Sequence, residues 1–130
     1  MAADPVFATT PKVGMVQIST ANTARDGTGT IGAVLTGGAS GTLINKIEIS
    51  ATGTTTAGVV RLFLDNGTNV YLLREIFVTA ATPSTTVSVW NAQLLFAAPN
   101  VLHLPTNSWV LKASTHNAEA FNVFAFGADL

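Results

Sequence analysis

Two histidines, seven acidic residues and many Ser and Thr hydroxyls are the groups through which this chain could do chemistry. His103 and His116 do not form an H-x-x-x-H metal spacing, and no run of carboxylates accompanies either one. His103 alternates with Leu102 and Leu104 and reads as a surface or interface side chain; His116 falls in a polar turn. The acidic residues are isolated. Glu48 and Glu75 lie on adjacent predicted strands and are the least poor pair for a glycosidase-type acid and base. Against that role, Glu48 reads as solvent-facing and Glu75 as meeting a cation or water near a sheet edge. There is no G-x-S-x-G elbow. Gly27-Thr28-Gly29 and Gly37-Gly38 are not followed by a helix-forming run or by Lys-Ser/Thr, so they read as bulges and turns, not as a phosphate loop. With no cysteine, disulfides and thiolate metal sites are excluded. The expectation is a protein that is not an enzyme, with no catalytic residue, no cofactor and no metal.

The elements that would position these residues are strands. Ala57–Ala80 holds two runs rich in Val, Leu, Phe and Ile around Asp65-Asn66-Gly67-Thr68. Asn-Gly between such runs predicts a type I′ hairpin, which needs positive φ at both central residues. With Asn66 and Gly67 as the turn, Phe63 pairs with Val70, Arg61 with Leu72 and Val59 with Arg74. Val60, Leu62, Leu64, Tyr71, Leu73 and Phe77 then form a core face. The other face carries Val59, Arg61, Phe63, Val70, Leu72, Arg74, Ile76 and Val78. A one-sided antiparallel sheet should be polar there, and this face is not. Something covers it. Arg61 and Arg74 would either pair across a subunit boundary or snorkel to water. The first seven of those residues are therefore the predicted oligomer or partner interface.

Elsewhere Ile47 and Ile49 alternate with Lys46, Glu48 and Ser50, the period-2 pattern of a half-buried strand. Further strands are expected over Val13–Thr20, Thr28–Thr36, Thr86–Trp90, Val101–Leu104, Trp109–Thr115 and Phe121–Gly127. Asn91–Ala98 is compatible with one helical turn. Turn signals recur at the roughly 8–12-residue spacing of sandwiches and barrels. The predicted fold is all-β: a two-sheet antiparallel sandwich, jelly-roll-like, of about nine or ten short strands. Residues 1–12, with Pro5 and Pro11, form an N-terminal arm ahead of a single domain over 13–130.

Only 10% of the residues are charged, against roughly 25% in an ordinary domain. The surface must therefore be covered by Thr, Ser, Asn and Gly or by other subunits. Net charge is −1 with no basic stripe, which disfavours nucleic acid. No 18-residue apolar run exists, so no membrane span is expected. The N-terminus does not read as a secretory signal, and synthesis in a reducing cytoplasm fits the missing cysteines.

The C-terminal third carries a resemblance. Leu104-Pro105-Thr106-Asn107-Ser108-Trp109 leads into a strand. His116-Asn117-Ala118-Glu119-Ala120-Phe121-Asn122-Val123 then leads into the terminal Phe124-Ala125-Phe126-Gly127-Ala128-Asp129-Leu130. Together with the hairpin RLFLDNGTNVYLLREI, this resembles small virion structural proteins of tailed bacteriophages. The resemblance implies a β-sandwich or jelly roll that assembles on capsids or tails, often as a trimer. It carries over no binding residue.

The leading expectation is a capsid decoration or cement protein located in the virion, with itself (a homotrimer) and the major capsid protein or other virion proteins as partners. One alternative is another virion part: a tail, head-completion or fibre-base protein. The other is a non-catalytic carbohydrate- or surface-binding module using Trp90, Trp109 and Tyr71. Trp in so small a sandwich is more often core or interface.

Overall fold

The computed structural model describes residues 10–96 and 100–130. The expected arm thus lies outside the described residues up to position 9, and positions 10–12 belong to the first strand. Among the described residues nine strands are formed: β1 (Thr10–Ile18), β2 (Gly32–Thr36), β3 (Thr42–Ala51), β4 (Gly58–Asp65), β5 (Val70–Val78), β6 (Asn91–Leu95), β7 (Leu102–Leu104), β8 (Val110–Thr115) and β9 (Phe121–Asp129). The first sheet has the order β1-β9-β3-β6, with β7 also paired to β3; the second has the order β2-β8-β4-β5. All strand pairs are antiparallel. β6 covers Lys46–Ser50 of β3 and β7 covers Thr42–Ile44, so the two share one edge position. Eight strand positions split between two sheets in this order make a jelly roll of two Greek keys. The expected all-β sandwich is the observed fold.

Inward side chains of both sheets fill the space between them. β3 contributes Ile44, Ile47 and Ile49; β9 contributes Phe121, Val123 and Ala125; β4 contributes Val60 and Leu62; β8 contributes Leu111 and Ala113. Three bulges make this pattern possible. Ile44 and Ile47 are three apart, and an unbroken strand would point them to opposite faces. The register of β3 against β9 shifts between Ile44 and Lys46, leaving Asn45 as the exposed extra residue. Between Leu62 and Phe63 the register of β4 against β5 shifts likewise, and Leu73 and Ile76 then both pack against the core. A third shift lies between Ala33 and Leu35, where Val34 and Leu35 are both buried.

Two local expectations are corrected. Asn91–Ala98 is not a helical turn where described; its first five residues are β6. Pairing with the central strand β3 outweighs the weak local preference. The hairpin turn is not type I′. Gly67 has φ 92°, but among the described residues no non-glycine has positive φ, so Asn66 cannot be the first residue of such a turn. Instead the loop spans Asn66 to Asn69. The Asn66 Oδ1 accepts hydrogen bonds from the backbone N–H of Thr68 (3.0 Å) and Asn69 (2.8 Å), and Asp65 Oδ1 accepts from Gly67 N–H (2.8 Å). These side-chain bonds replace the backbone turn.

The tightest backbone approach is at Gly127, next to the β3 bulge. A Cβ there would run into the Leu43 carbonyl oxygen, with the Ile44 Cα only 3.0 Å away. Neither is a flexible side-chain end, so β9 and β3 would have to part. Gly127→Ala is expected to destabilise by about 2–3 kcal/mol, the range of overpacking in a close-packed site. Gly53, with nothing within 4 Å of its missing Cβ, is the control, and Gly53→Ala should stay within about 0.5 kcal/mol. Urea midpoints of the two variants check this; equal midpoints would show that β9 yields without cost.

Candidate functional site

The shifted hairpin register rearranges the predicted interface. Near the tip Phe63 pairs with Leu72 and Asp65 with Val70; beyond the bulge Leu62 pairs with Arg74, Arg61 with Glu75, Val60 with Ile76 and Val59 with Phe77. Opposed residues share a face. Val59, Arg61, Phe63, Val70 and Leu72 thus stay together on the outer face of the second sheet, and Glu75 and Phe77 join them. Arg74 and Ile76 move to the other side. Ile76 packs against the core, and Arg74 is exposed beside Leu62's end of the edge strand. The two arginines do not share a face, because the longer loop and the bulge together displace β5 by three residues at Arg61.

What covers this face over Arg61, Phe63 and Val70 is the chain itself, while Leu72 and Phe77 stay exposed. The segment 19–31 crosses from β1 to β2 and lies over the second sheet. Arg61 is 0% exposed beneath it. Its Nη1 donates to the Asn22 carbonyl (2.9 Å), its Nε to Glu75 Oε2 (2.9 Å), and its Nη2 lies 3.1 Å from His116 Nδ1. Arg25 from the same segment donates to the same Glu75 oxygen at 3.0 Å. Further along, Gly27 sits so close to Val70 that a Cβ would lie 2.6 Å from Val70 Cβ. The contacts at Arg61 and Val70 bracket Phe63, which is also 0% exposed yet outside the inter-sheet core. Asn22 shapes the segment. Its Nδ2 donates to the carbonyls of Thr28 and Thr30 (2.9 Å each), its Oδ1 accepts from Ala24 N–H, and its own N–H donates to Thr115 O. The sequence marks Asn22 only as a turn residue.

This cluster is a clamp of limited chemical reach. Glu75 is held below the usual carboxylate range, first by the hydrogen bond from Arg25, then by the charges of Arg25 and Arg61 and the Arg61 hydrogen bond, with burial opposing. A carboxylate so held is a poor proton acceptor at neutral pH. Because the folded value is depressed, Glu75 adds stability above the unfolded value of roughly 4.3, and that stability is lost as pH falls through the lower folded value. The melting-temperature gap between wild type and Glu75→Gln is expected to be open at pH 6 and to narrow as pH falls below about 4. A gap that stays constant would contradict the clamp. The other depressed carboxylates, Asp26 (hydrogen-bonded by Thr28), Asp65 (by Lys112) and Asp129 (by the Thr42 hydroxyl, then Lys12), act equally on both proteins and cancel.

The remaining candidates disperse. Glu48 is 3.3 Å from Lys46 on the outer face of the first sheet, remote from Glu75 on the second. His103 lies opposite Leu43 in β7. No three His, Asp or Glu side chains come together to hold a metal ion among the described residues. Trp90 and Trp109 pack against the core, with Trp90 edge-on to Phe121 at 5.7 Å, so they offer no shared platform to a sugar ring.

The apolar surface that stays open is elsewhere. On the outer face of the first sheet the registers place residues in transverse rows. One row is Val13, Phe126, Lys46, Leu95; the next is Met15, Phe124, Glu48, Gln93; the third is Gln17, Asn122, Ser50, Asn91. Val13, Met15 and Leu95 are 49%, 60% and 68% exposed. The Phe124 and Phe126 rings lie 19° from parallel with centroids 6.2 Å apart, and Lys46 Nζ is 5.1 Å from the Phe126 centroid. Two rows that are apolar over β1 and β9 and carry Lys46 and Glu48 on β3 therefore end at a row that is wholly amide and hydroxyl. The signal was present in β9, where Phe124 and Phe126 interleave with Val123 and Ala125 and make the strand apolar on both faces. A second open surface follows the edge strand β5, where Tyr71, Leu72 and Phe77 are exposed.

No protein-family model matches the chain, and no curated protein matches it in sequence. Among solved structures it is similar in outline to one titled a pentameric capsid protein isolated from metagenomic phage sequences. That likeness has 11% identity and a TM-score of 0.40, over 89% of this chain and 61% of the other. The chain thus spans about three-fifths of the length of that protein.

Proposed function

We propose that this chain is a non-catalytic virion structural protein of the capsid-decoration type, which self-associates and binds the assembled head. The jelly-roll strand order does not choose this function, since the fold also serves lectins and cupins. The observation that carries it is the pair of separate apolar surfaces on different sheets: Val13, Met15, Leu95, Phe124 and Phe126 on one, and on the other the edge strand β5, with Leu72 and Phe77 exposed on its outer side and Tyr71 on its opposite side. A binder of one small ligand needs one concave site. A lattice component needs at least two contact surfaces, one for its own kind and one for the lattice. Few charges and many hydroxyl and amide groups suit a surface that is largely covered in the particle. Binding the assembled state and not its parts then stabilises the head by mass action.

Co-sedimentation with expanded heads of the virus that encodes this chain tests the proposal. Binding should saturate at a fixed number of copies per capsid subunit. Protein left wholly in the supernatant would overturn decoration, and binding to purified tails alone would assign it to the tail instead.

A further inference from the structure

We propose that the outer face of the first sheet is a two-fold homodimer interface, in which Lys46 of each copy faces the partner's Glu48. This goes beyond decoration and stands or fails without a capsid. The occupant follows from the order of the rows. A two-fold axis running across the strands, between the first and second rows, lays one row of each copy on the other row of the partner. Lys46 then meets the partner's Glu48, Phe126 meets the partner's Phe124, and Val13 meets the partner's Met15. Each charge finds its opposite, and Phe126 and Val13 find apolar partners, while Leu95 at the β6 edge meets the partner's Gln93. The partner's polar row of Gln17, Asn122, Ser50 and Asn91 falls outside this centre, at a rim where hydrated groups belong.

The other in-plane two-fold, along the strands between β9 and β3, lays Glu48 over the partner's Phe124 and Lys46 over the partner's Phe126, so neither charge meets an opposite one across the contact. A charge desolvated without a counter-charge is costly, so this arrangement is disfavoured. The Phe124 and Phe126 rings are stacked on this face with centroids 6.2 Å apart, and sheets packed face to face lie about 10 Å apart. Size is sufficient but not generous. Four strands at about 4.8 Å spacing and nine residues at about 3.3 Å rise give roughly 550 Å² per copy, or about 1,100 Å² for the pair. A specific interface needs about 1,000 Å², so the contact should be reversible and concentration-dependent. Its symmetry is two-fold, unlike the trimer implied by the sequence resemblance.

Charge reversal tests the register. Lys46 and Glu48 are both part-exposed, and thermal melts would verify that their variants fold. In equilibrium sedimentation the wild type should form dimers at about 100 μM, a reversible contact of this size. K46E and E48K should each dimerise at least about tenfold more weakly, because like charges then face each other. An equimolar mixture of the two should recover association, and so should the K46E/E48K double variant. A monomeric wild type, a wild-type trimer, an E48K variant that dimerises normally, or a mixture that stays monomeric would each overturn the two-fold contact. Head binding is measured separately, so neither result decides the other.

Discussion

Phe63→Glu is expected to strip the fold of much of its stability, not to split an oligomer. Phe63 lies on the outer face of the second sheet, where the hydrophobic pattern of the hairpin alone suggests a partner surface. In the structure it is fully buried, between Arg61 under Asn22 and Val70 under Gly27. A carboxylate there loses water without gaining a counterion, since the nearest cross-strand cation, Lys112, already binds Asp65 at 2.8 Å. The cost is roughly 4 kcal/mol or more, against a total stability of about 5–15 kcal/mol for a domain. Far-UV circular dichroism and urea unfolding check it. Phe63→Leu keeps an apolar side chain and should cost only about 1–1.5 kcal/mol. A Phe63→Glu variant that folds at wild-type stability and changes only its sedimentation would show that the segment 19–31 does not seal this face.

Arg61→Ala is the second large effect. The guanidinium ties the second sheet to the segment above it through Asn22, to the edge strand through Glu75, and to the turn after β8 through His116. Removing it leaves a void and an unpaired Asn22 carbonyl. Breaking a fully buried pair costs about 3–5 kcal/mol, but Glu75 keeps Arg25 and some water, so about 2–4 kcal/mol is expected. Lys cannot reproduce three divergent contacts, so Arg61→Lys should recover little of it. Hydrogen exchange at the Asn22 N–H, bonded to Thr115 O, should accelerate more than exchange in β3. Uniform acceleration would mean that Arg61 acts on the whole fold and not on the clamp.

These two residues also show what the sequence conveys and what it does not. The hairpin, the two-sheet class and the half-buried pattern of β3 follow from hydrophobic periodicity, a local property. The face of Arg61 was legible too; what covers it was not. The segment 19–31 looks like an ordinary polar turn, and its covering role depends on Asn22 reaching Thr115 and Arg61, far along the chain. The pairing of Arg61 with Glu75 depends on an Asn66 side-chain turn and on one extra residue, Leu73. Neither has a strong local signature, yet together they turn half of β5 over. The open apolar rows could have been found in β9, whose phenylalanines interleave with an inward-facing set. Knowing that Phe124 and Phe126 adjoin Met15, Val13 and Lys46 requires the strand order.

The central claim is that apolar surface on this jelly roll serves assembly on a viral head. Cryo-electron microscopy of expanded heads incubated with the protein tests it most directly. Sandwich-shaped density is expected at every equivalent lattice site, with the β5 edge bearing Leu72 and Phe77 against the capsid and the first-sheet outer face turned to a neighbouring copy. Heads that carry no added density at saturating protein would contradict it.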